Sequence, residues 1–409
     1  MTSNTAAGLI DREEWRKYGL NLPACILGMM LVAVHPYALG VMIGPLEEEF
    51  GWSRSQISAG PLVTSVTALL LAAFAGRITD RIGPRKVARV GVPLFACALA
   101  AISLAGPSIY SWLGLYALLA LALLCIYPSV WTAAIAVRFD RNRGLALALA
   151  LSGTGIASAV VPLIGAKLIE AYGWRGAYIG LGALSFLTVF PLVALYFARD
   201  KVPPPARIDA LEARIPAGKL GEFRTGKFFR MALAFLLYSV AATGLGINAV
   251  PVLMENGFDL VGAAAVVSWI GLGTIAGRLL GGVLLDRIDG RYVAIGCGFF
   301  AMGSVAILLL VANSALSASI ACVLLGLAAG AEYDAAAYLT TRHFSRRNFA
   351  SLFAVLGGLA GLGSGIAPLI ANIVYDVTQS YDLMLLGLFP MFAVASVLFL
   401  SLGRYPELD

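Results

Sequence analysis

Long apolar runs, separated by short charged stretches, dominate the chain from about residue 20 to residue 403. A helix needs about 20 apolar residues to cross a bilayer, whereas a membrane strand shows alternation over about 10 residues. The runs do not alternate, and backbone groups in lipid must be hydrogen-bonded internally, so each run is predicted to be a transmembrane helix. Twelve such runs are found: 20–46, 56–78, 87–106, 110–137, 145–170, 176–198, 229–253, 261–285, 292–312, 316–341, 349–375 and 383–403.

Basic residues are distributed unevenly between the loops. Nearly all of the 29 Lys and Arg fall before the first run, in alternate loops or in the C-terminal tail, whereas Arg54, Lys167 and Arg175 fall on the opposite side. Lys and Arg accumulate on the cytoplasmic side of membrane proteins, so both termini are predicted to be cytoplasmic. The net charge of +6 therefore records orientation and does not indicate a nucleic-acid partner.

Composition excludes several other classes of protein. The chain is 60% hydrophobic and 13% charged, whereas soluble domains carry about 25% charged residues and disordered chains are poor in apolar residues. The sequence contains no Walker loop, no HExxH pattern and no Cys/His cluster. An ATP-driven pump, a metal site, a cofactor and an enzymatic activity are therefore not expected.

An internal repeat indicates two similar halves. Three stretches recur at one spacing of 206 residues, the distance from Gly76 to Gly282. They are Gly40, Pro45, Glu49, Gly51 with Gly246, Pro251, Glu255, Gly257; Gly76, Asp80, Arg81 with Gly282, Asp286, Arg287; and 162–164 with 368–370. Parallel repeats of six helices are the plan of the major facilitator fold. We predict an all-α membrane protein with two six-helix bundles, 1–198 and 229–409, joined by a cytoplasmic linker, 199–228.

The loop after the second run carries a recognisable motif. It reads GRITDRIGPRK from Gly76 to Lys86 and resembles the signature loop of the major facilitator superfamily. The resemblance covers essentially the whole chain. It implies transport by alternating access, with a cytoplasmic gate of charged residues: Asp80, Arg81, Arg85, Asp286 and Arg287.

Further segments resemble the monocarboxylate transporter family and its relatives similar to oxalate/formate antiporters. They are 50–58 (FGWSRSQIS), 173–175 (GWR), 277–282 (GRLLGG) and 330–334 (GAEYD). The resemblance implies a small organic anion as substrate, often moved with a proton or in exchange. It also implies that Arg278 binds the substrate carboxylate. Many animal members have an acidic residue where this chain has Thr274 and a lysine where it has Tyr37. These two differences count against proton coupling by the scheme of the animal transporters.

Few ionisable groups lie inside the predicted spans. An ionised group at membrane depth is unfavourable by at least about 2.5–3.5 kcal/mol and usually has a function. Arg278 and Asp334 are predicted at one depth, each eight residues from a charged helix end, namely Asp286 and Arg342. Arg278 is interpreted either as a carboxylate ligand or as the partner of a permanent salt bridge to Asp334 or Glu332. Either acid is a candidate proton carrier.

Polar aromatic residues and one histidine are the other candidates for a substrate site between the halves. An aromatic ring with a polar tip suits a small amphipathic anion, although packing explains each residue singly as well. The candidates are Tyr37, Tyr127, Asn248, Tyr333 and His35.

We therefore predict a monomeric secondary transporter of a monocarboxylate-like anion. Its expected location is the cell membrane, which in a bacterium is the inner membrane. Protons are a possible coupling ion, and the lipid bilayer is the other expected partner. The alternatives are a transporter of a larger aromatic or hydrophobic acid, a drug exporter, and a membrane sensor built on a transporter fold. A sensor would need a longer cytoplasmic segment than 199–228.

Overall fold

The computed structural model describes residues 12–140, 142–198, 220–311, 314–345 and 348–405. Every regular element within these ranges is a helix, which confirms the prediction of an all-α fold. Eleven helices are long and apolar enough to cross a membrane. Large apolar side chains such as Leu70, Tyr110 and Val377 are more than 70% exposed on their outer faces, as expected for surfaces that contact lipid.

Among the described residues up to 198, the chain forms eight helices, of which α1, α6 and α7 are short. Their bounds are α1 Arg12–Tyr18, α2 Asn21–Phe50, α3 Arg54–Ile82, α4 Pro84–Ala101, α5 Ile109–Leu124, α6 Pro128–Ala136, α7 Arg143–Leu151 and α8 Gly153–Leu195. The predicted run 110–137 is thus divided in two, because Pro128 starts a new helix after α5 has ended at Leu124.

From residue 220 onwards, the part of the chain that the structure describes forms six long helices. Their bounds are α9 Gly226–Glu255, α10 Leu260–Leu285, α11 Gly290–Leu310, α12 Ala315–His343, α13 Phe349–Thr378 and α14 Asp382–Leu400. Of the predicted linker 199–228, residues 199–219 lie outside the described residues, and Leu220–Arg224 forms a 3₁₀ turn. The bounds of the linker therefore stay a prediction.

Helix α8 contains two of the twelve predicted spans. Gly173 breaks it with φ 68° and ψ 174°, a conformation that only glycine adopts readily. A methyl group on Gly180 would lie 2.9 Å from Leu168 Cδ1, whereas twelve residues of straight helix would separate them by about 18 Å. The chain therefore doubles back at Gly173. This hairpin explains why eleven candidate spanning helices correspond to twelve predicted crossings.

Local sequence explains where the third helix begins. Gly51 ends α2 in the left-handed region, with φ 66°, and Ser53 then caps α3. Ser53 Oγ accepts the Gln56 backbone N–H at 3.2 Å, and Gln56 Oε1 accepts the Ser53 N–H at 3.0 Å. This capping box fixes the start of α3, so Arg54 is the first residue of that helix.

The helices pack as two bundles, α2–α8 and α9–α14, which meet along three helix pairs: α2 with α9, α3 with α13, and α8 with α10. The α8–α10 contact is very close. A methyl group on Gly155 would lie 3.1 Å from the Gly271 carbonyl oxygen, and one on Gly271 would collide with the backbone at Gly155 and Ala159. Small residues permit such close backbone approach between membrane helices.

An acidic residue before each bundle's first long helix bonds to an asparagine of the same bundle, through the backbone of Asn142 in the first bundle and through the side chain of Asn348 in the second. Glu14 accepts the backbone N–H of Asn142 at 3.0 Å, in the connection between α6 and α7. Glu222 accepts from Asn348 Nδ2 at 2.6 Å, in the connection between α12 and α13. The repeat seen in the sequence is thus also present in the contacts of the two bundles.

We predict that Gly271→Ala weakens the packing of the two bundles, because the added methyl group has no room against α8. Overpacking of this kind lowers the free energy of unfolding by about 1–3 kcal/mol. Thermal unfolding of the purified protein in detergent measures the effect. Gly282→Ala on the same helix is the control, since nothing lies within 4 Å of its methyl position. Equal stability of the two variants would contradict the prediction.

Candidate functional site

A cavity of about 390 Å³ lies at the junction of the two bundles. Its wall is formed by α2, α3, α5 and α8 of the first bundle, the segment between α5 and α6, and α9, α12 and α13 of the second. Most of the wall is apolar or glycine. The polar side chains in the wall are His35, Tyr37, Thr64, Ser65, Tyr127, Thr154, Thr243 and Ser364. An apolar cavity with a few polar groups is typical of a small-molecule site.

Three of the predicted substrate residues lie in this wall: His35, Tyr37 and Tyr127. His35 is 8% exposed and its Nδ1 has no hydrogen-bond partner among the described residues. Its ring contacts that of Tyr116 edge-on, with 6.4 Å between centroids. The first bundle thus supplies two tyrosines and one histidine to the cavity.

Arg278 lies on α10, is not among the residues that line the cavity, and is 9% exposed. Its Nε is 3.9 Å from Asp334 Oδ2, which is too long for a hydrogen bond. Neither Nε nor Nη1 has a hydrogen-bond partner among the described residues. The side chain is within electrostatic range of Tyr37 in the wall and of Tyr333. Arg278 is therefore a buried cation whose hydrogen-bonding capacity is largely unused.

The two acidic candidates on α12 occupy different surroundings. The Asp334 side chain is 30% exposed and is the nearer acid to Arg278. Glu332 is 5% exposed, and its Oε1 has no hydrogen-bond partner among the described residues. It interacts electrostatically with Tyr238 and Cys297 inside the second bundle. Only Asp334 is thus positioned to compete with an anion for Arg278.

Tyr333 and Asn248 do not belong to the cavity wall. The Tyr333 ring packs between Phe235 and Phe353, with 5.5 Å between centroids in each pair, and it lies within electrostatic range of Tyr127. Asn248 is fully buried, and its Nδ2 donates to the Gly244 carbonyl oxygen at 2.8 Å. The structure therefore brings Tyr37 and Tyr333 near Arg278, keeps Tyr127 in the cavity wall and places Asn248 elsewhere.

The predicted gate residues lie at the end of the molecule where α3 and α10 finish. Asp80, Arg81, Asp286 and Arg287 are exposed there. Arg85 Nη2 donates to the Ala194 carbonyl oxygen at 3.2 Å, within its own bundle. Among the described residues, no hydrogen bond joins the two bundles at this end. The gating role of these residues stays a prediction.

The opposite end carries a polar contact between the bundles that the sequence did not reveal. Asp376 on α13 accepts the backbone N–H groups of Arg54 and Ser55, each at 3.1 Å. Its carboxylate thus caps the N-terminus of α3, where the helix dipole favours negative charge. One bundle supplies the carboxylate, and the other supplies the helix end.

The Arg54 side chain reinforces this contact. Its Nε lies 2.9 Å from Glu47 Oε2, its Nη1 donates to Tyr381 Oη at 3.2 Å, and its guanidinium stacks 3.8 Å from the Tyr375 ring centroid. Arg54 therefore ties α2 and α3 of the first bundle to α13 and the start of α14.

Asn372 extends the contact towards the membrane interior. Its Nδ2 donates to Ser58 Oγ at 2.7 Å in the first bundle and to Asn248 Oδ1 at 2.8 Å, and its Oδ1 accepts from Tyr381 at 2.8 Å. We call Arg54, Ser58, Asp376, Asn372 and Tyr381 the cross-bundle cluster. The one feature of the sequence that pointed to this cluster was Arg54, a basic residue on the side of the membrane where Lys and Arg are rare.

The arrangement suits anion binding. A buried cation with two nitrogens unbonded among the described residues interacts electrostatically with Tyr37 in the cavity wall, and the cross-bundle cluster joins the two bundles at one end of the molecule. No group of three or more metal-ligating side chains occurs in the part of the chain that the structure describes. Binding by charge and hydrogen bonds is the chemistry that these residues offer.

Comparison with known proteins gives a family and several relatives. The sequence model described as Major Facilitator Superfamily matches residues 25–368 and 232–408. Monocarboxylate transporter 11 of Mus musculus is 28% identical over 61% of this chain and 55% of its own length. The chain thus spans about half the length of that relative.

Two bacterial relatives and a solved structure match as well. The multidrug resistance protein MdtL of Klebsiella pneumoniae is 26% identical over 56% of this chain and 58% of its own. A gallate transporter of Pseudomonas putida is 24% identical over 92% and 90%. A bacterial homologue of the human lysosomal transporter Spinster, inward-facing and occupied, covers 96% of this chain and 97% of its own, with a TM-score of 0.70 at 16% identity. That likeness confirms the fold.

We predict that Asp376→Ala opens the end closed by the cross-bundle cluster, because the N-terminus of α3 loses its cap. Hydrogen bonds to a charged group contribute about 1.5–3 kcal/mol, so the closed population should fall roughly 10- to 100-fold relative to the open one. The measurement is labelling of a single cysteine at Ser65 by an impermeant thiol reagent from the Arg54 side, in a chain lacking its five native cysteines.

Asp382→Ala is the matched control, since this acid is exposed at the same end and no cross-bundle bond from its side chain is present among the described residues. Labelling should stay at the parent rate in that variant. An unchanged labelling rate in Asp376→Ala would show that the cluster does not close this end.

Proposed function

The chain belongs to the Major Facilitator Superfamily, and on that premise we propose that it is a secondary transporter of a small monocarboxylate-like anion. The observation that carries the proposal is the state of Arg278, which is buried beside the cavity with two of its nitrogens unbonded among the described residues. A carboxylate accepts hydrogen bonds from a guanidinium and balances its charge, so it is the group that suits this side chain.

The energetics of the membrane interior support this role. An unpaired cation at this depth is unfavourable, and a guanidinium without hydrogen bonds is more so. Asp334, at 3.9 Å, balances the charge of Arg278 but is too far away to accept a hydrogen bond from its guanidinium. A carboxylate that reached Arg278 would accept hydrogen bonds from its guanidinium and balance its charge, which supports anion binding there.

The size and lining of the cavity support an organic anion. About 390 Å³ accommodates a small acid together with water, or a larger aromatic acid alone. Tyr37 and Tyr127 offer both apolar rings and hydroxyl groups. The names of two relatives, a monocarboxylate transporter and a gallate transporter, both refer to carboxylates.

The cross-bundle cluster supports transport by alternating access. With both termini in the cytoplasm, as the distribution of Lys and Arg predicts, the Arg54 end faces outwards and is the closed end. The substrate then exchanges with the cytoplasm in this state. Separation of Asp376 from α3, with closure near Asp80 and Asp286, would give the opposite state.

Asp334 is our candidate for proton coupling. Protonation would neutralise its carboxylate and release Arg278 for the substrate, so that proton and anion bind together. The 30% exposure of Asp334 gives it access to a proton, which Glu332, at 5%, lacks.

We predict that Arg278→Met abolishes anion binding without loss of stability. Loss of two charge-assisted hydrogen bonds weakens binding by roughly 100-fold or more. The alternative, a permanent salt bridge, predicts a loss of about 3–5 kcal/mol in the free energy of unfolding. Binding of lactate, pyruvate and benzoate, with thermal unfolding measured on the same samples, separates these outcomes.

Arg291→Met is the control, because this arginine is also 9% exposed in the second bundle but donates to Asp289 and lies away from the cavity. It should lose stability and keep anion binding. If Arg278→Met bound the acids as tightly as the wild type, Arg278 would not be the anion site. If the wild type itself bound none of the acids, the proposed function would be refuted.

We predict that Asp334→Asn loses proton-driven accumulation but keeps anion exchange, since Arg278 then stays free of its competing acid. Proteoliposome uptake with and without a proton gradient is the measurement. Glu332→Gln should keep both activities, because Glu332 faces Tyr238 and Cys297 and not Arg278. Loss of gradient-driven uptake in Glu332→Gln alone would move the proton site to Glu332.

A further inference from the structure

Helix α13 faces the cavity largely through glycine. Gly357, Gly361 and Gly365 are spaced by four residues, so they lie on one face of the helix, and Gly358 lies beside them. All four line the cavity. Gly363 does not, and a methyl group there would lie 3.0 Å from two side chains of α9. The second bundle therefore presents α13 to the cavity mostly as bare backbone.

Two of the cavity glycines are not explained by helix packing. A methyl group on Gly361 would have no packing neighbour within 4 Å, and the same holds for Gly246 on α9, which also lines the cavity. At Gly365, by contrast, a methyl group would collide with Ser65 of the first bundle. Glycine without a packing neighbour lets a ligand approach the helix backbone closely. We call Gly246, Gly357, Gly358 and Gly361 the glycine face.

The first bundle supplies three rings to the same wall: His35, Tyr37 and Tyr127. His35 is 8% exposed, and its Nδ1 has no hydrogen-bond partner among the described residues. Buried polar groups are nearly always hydrogen-bonded, to protein, water or ligand. The edge-on contact of His35 with the Tyr116 ring uses none of this capacity. His35 is therefore a second and independent sign that the cavity holds a ligand.

The wall is also without charge. None of the described residues that line the cavity is Asp, Glu, Lys or Arg. A charged group that enters such a wall without a partner is strongly unfavourable. The body of a ligand that fills the cavity is therefore neutral, which excludes an anion with a second charge at its far end.

We infer that the transported anion is an aromatic monocarboxylate, whose ring lies between the glycine face and the rings of the first bundle. This rests on the proposed function, which supplies the carboxylate and its binding group. A planar ring can lie flat on a helix surface that has no side chains. Pairs of aromatic rings also gain more than their buried area alone provides. A saturated ring of equal carbon number is thicker and forms no such pairs.

The inference is tested by calorimetry with four acids on the purified full-length protein: benzoate, cyclohexanecarboxylate, propionate and terephthalate. We expect benzoate to bind roughly 3- to 10-fold more tightly than cyclohexanecarboxylate, because only benzoate is planar and aromatic. It should bind roughly 10-fold or more tightly than propionate, which buries less apolar surface. Terephthalate, with its second carboxylate, should bind at least roughly 10-fold more weakly than benzoate.

Gly361→Ala places a methyl group where the ring is expected. It should weaken benzoate binding roughly 10-fold and leave propionate within about 2-fold of its wild-type affinity. Gly246→Ala should act in the same way from α9. Gly387→Ala on α14 is the matched control, since its methyl group also has no packing neighbour within 4 Å but lies outside the cavity wall. Benzoate affinity should be unchanged in the control.

Several results would overturn the inference and leave the proposed function standing. One is a wild type that binds cyclohexanecarboxylate or terephthalate as tightly as benzoate. Another is wild-type affinity for benzoate in both Gly361→Ala and Gly246→Ala, or an equal loss of affinity in Gly387→Ala. If the wild type bound none of the four acids, the proposed function and the inference would both fall.

Discussion

The membrane interior leaves no water to satisfy a polar group, and this constraint explains where the polar side chains of this protein lie. Most of them are bonded within their own helix, as Asn248 is to Gly244 and Thr64 to Pro61. Others meet across the bundle junction, as Asn372 meets Ser58. Several buried side chains depart from the pattern, among them His35, Glu332 and Arg278, which have atoms without a hydrogen-bond partner among the described residues. Of these three, Arg278 carries the guanidinium. In a bilayer such a group marks the place where something from outside the protein is expected to bind.

The fold was largely predictable because hydropathy reports the one property that a spanning helix cannot lack. Twelve apolar runs and a 206-residue repeat, as from Gly76 to Gly282, sufficed for the all-α two-bundle plan. Proline divided one predicted run at Pro128, and Gly173 joined two others into a single helical hairpin. Such local interruptions depend on the backbone dihedral angles of single residues, which a mean hydropathy over 20 residues does not report.

The candidate site could be predicted from the sequence only at positions where a single charged or polar aromatic residue interrupts an apolar run. Arg278, Asp334, Tyr37 and Tyr127 could be proposed because charges and polar rings are rare in apolar runs. The pairing of Asp376 with the start of α3 spans more than 300 residues of chain and involves backbone N–H groups, which carry no sequence signal. Asn248 was assigned to the cavity on its position in α9, but the partner that decides its role, Asn372, lies on another helix. Rotation about a helix axis is not fixed by hydropathy when both faces are apolar.

The contact at Asp376 has a genetic consequence. Its acceptor is a side chain, but its donors are the main-chain N–H groups of Arg54 and Ser55, which every residue except proline possesses. Codon changes at 54 and 55 would therefore leave this hydrogen bonding in place, whereas nearly any change at 376 removes it. Among naturally occurring variants, position 376 should tolerate far fewer amino acids than position 55, whose contact with Asp376 is through the main chain alone.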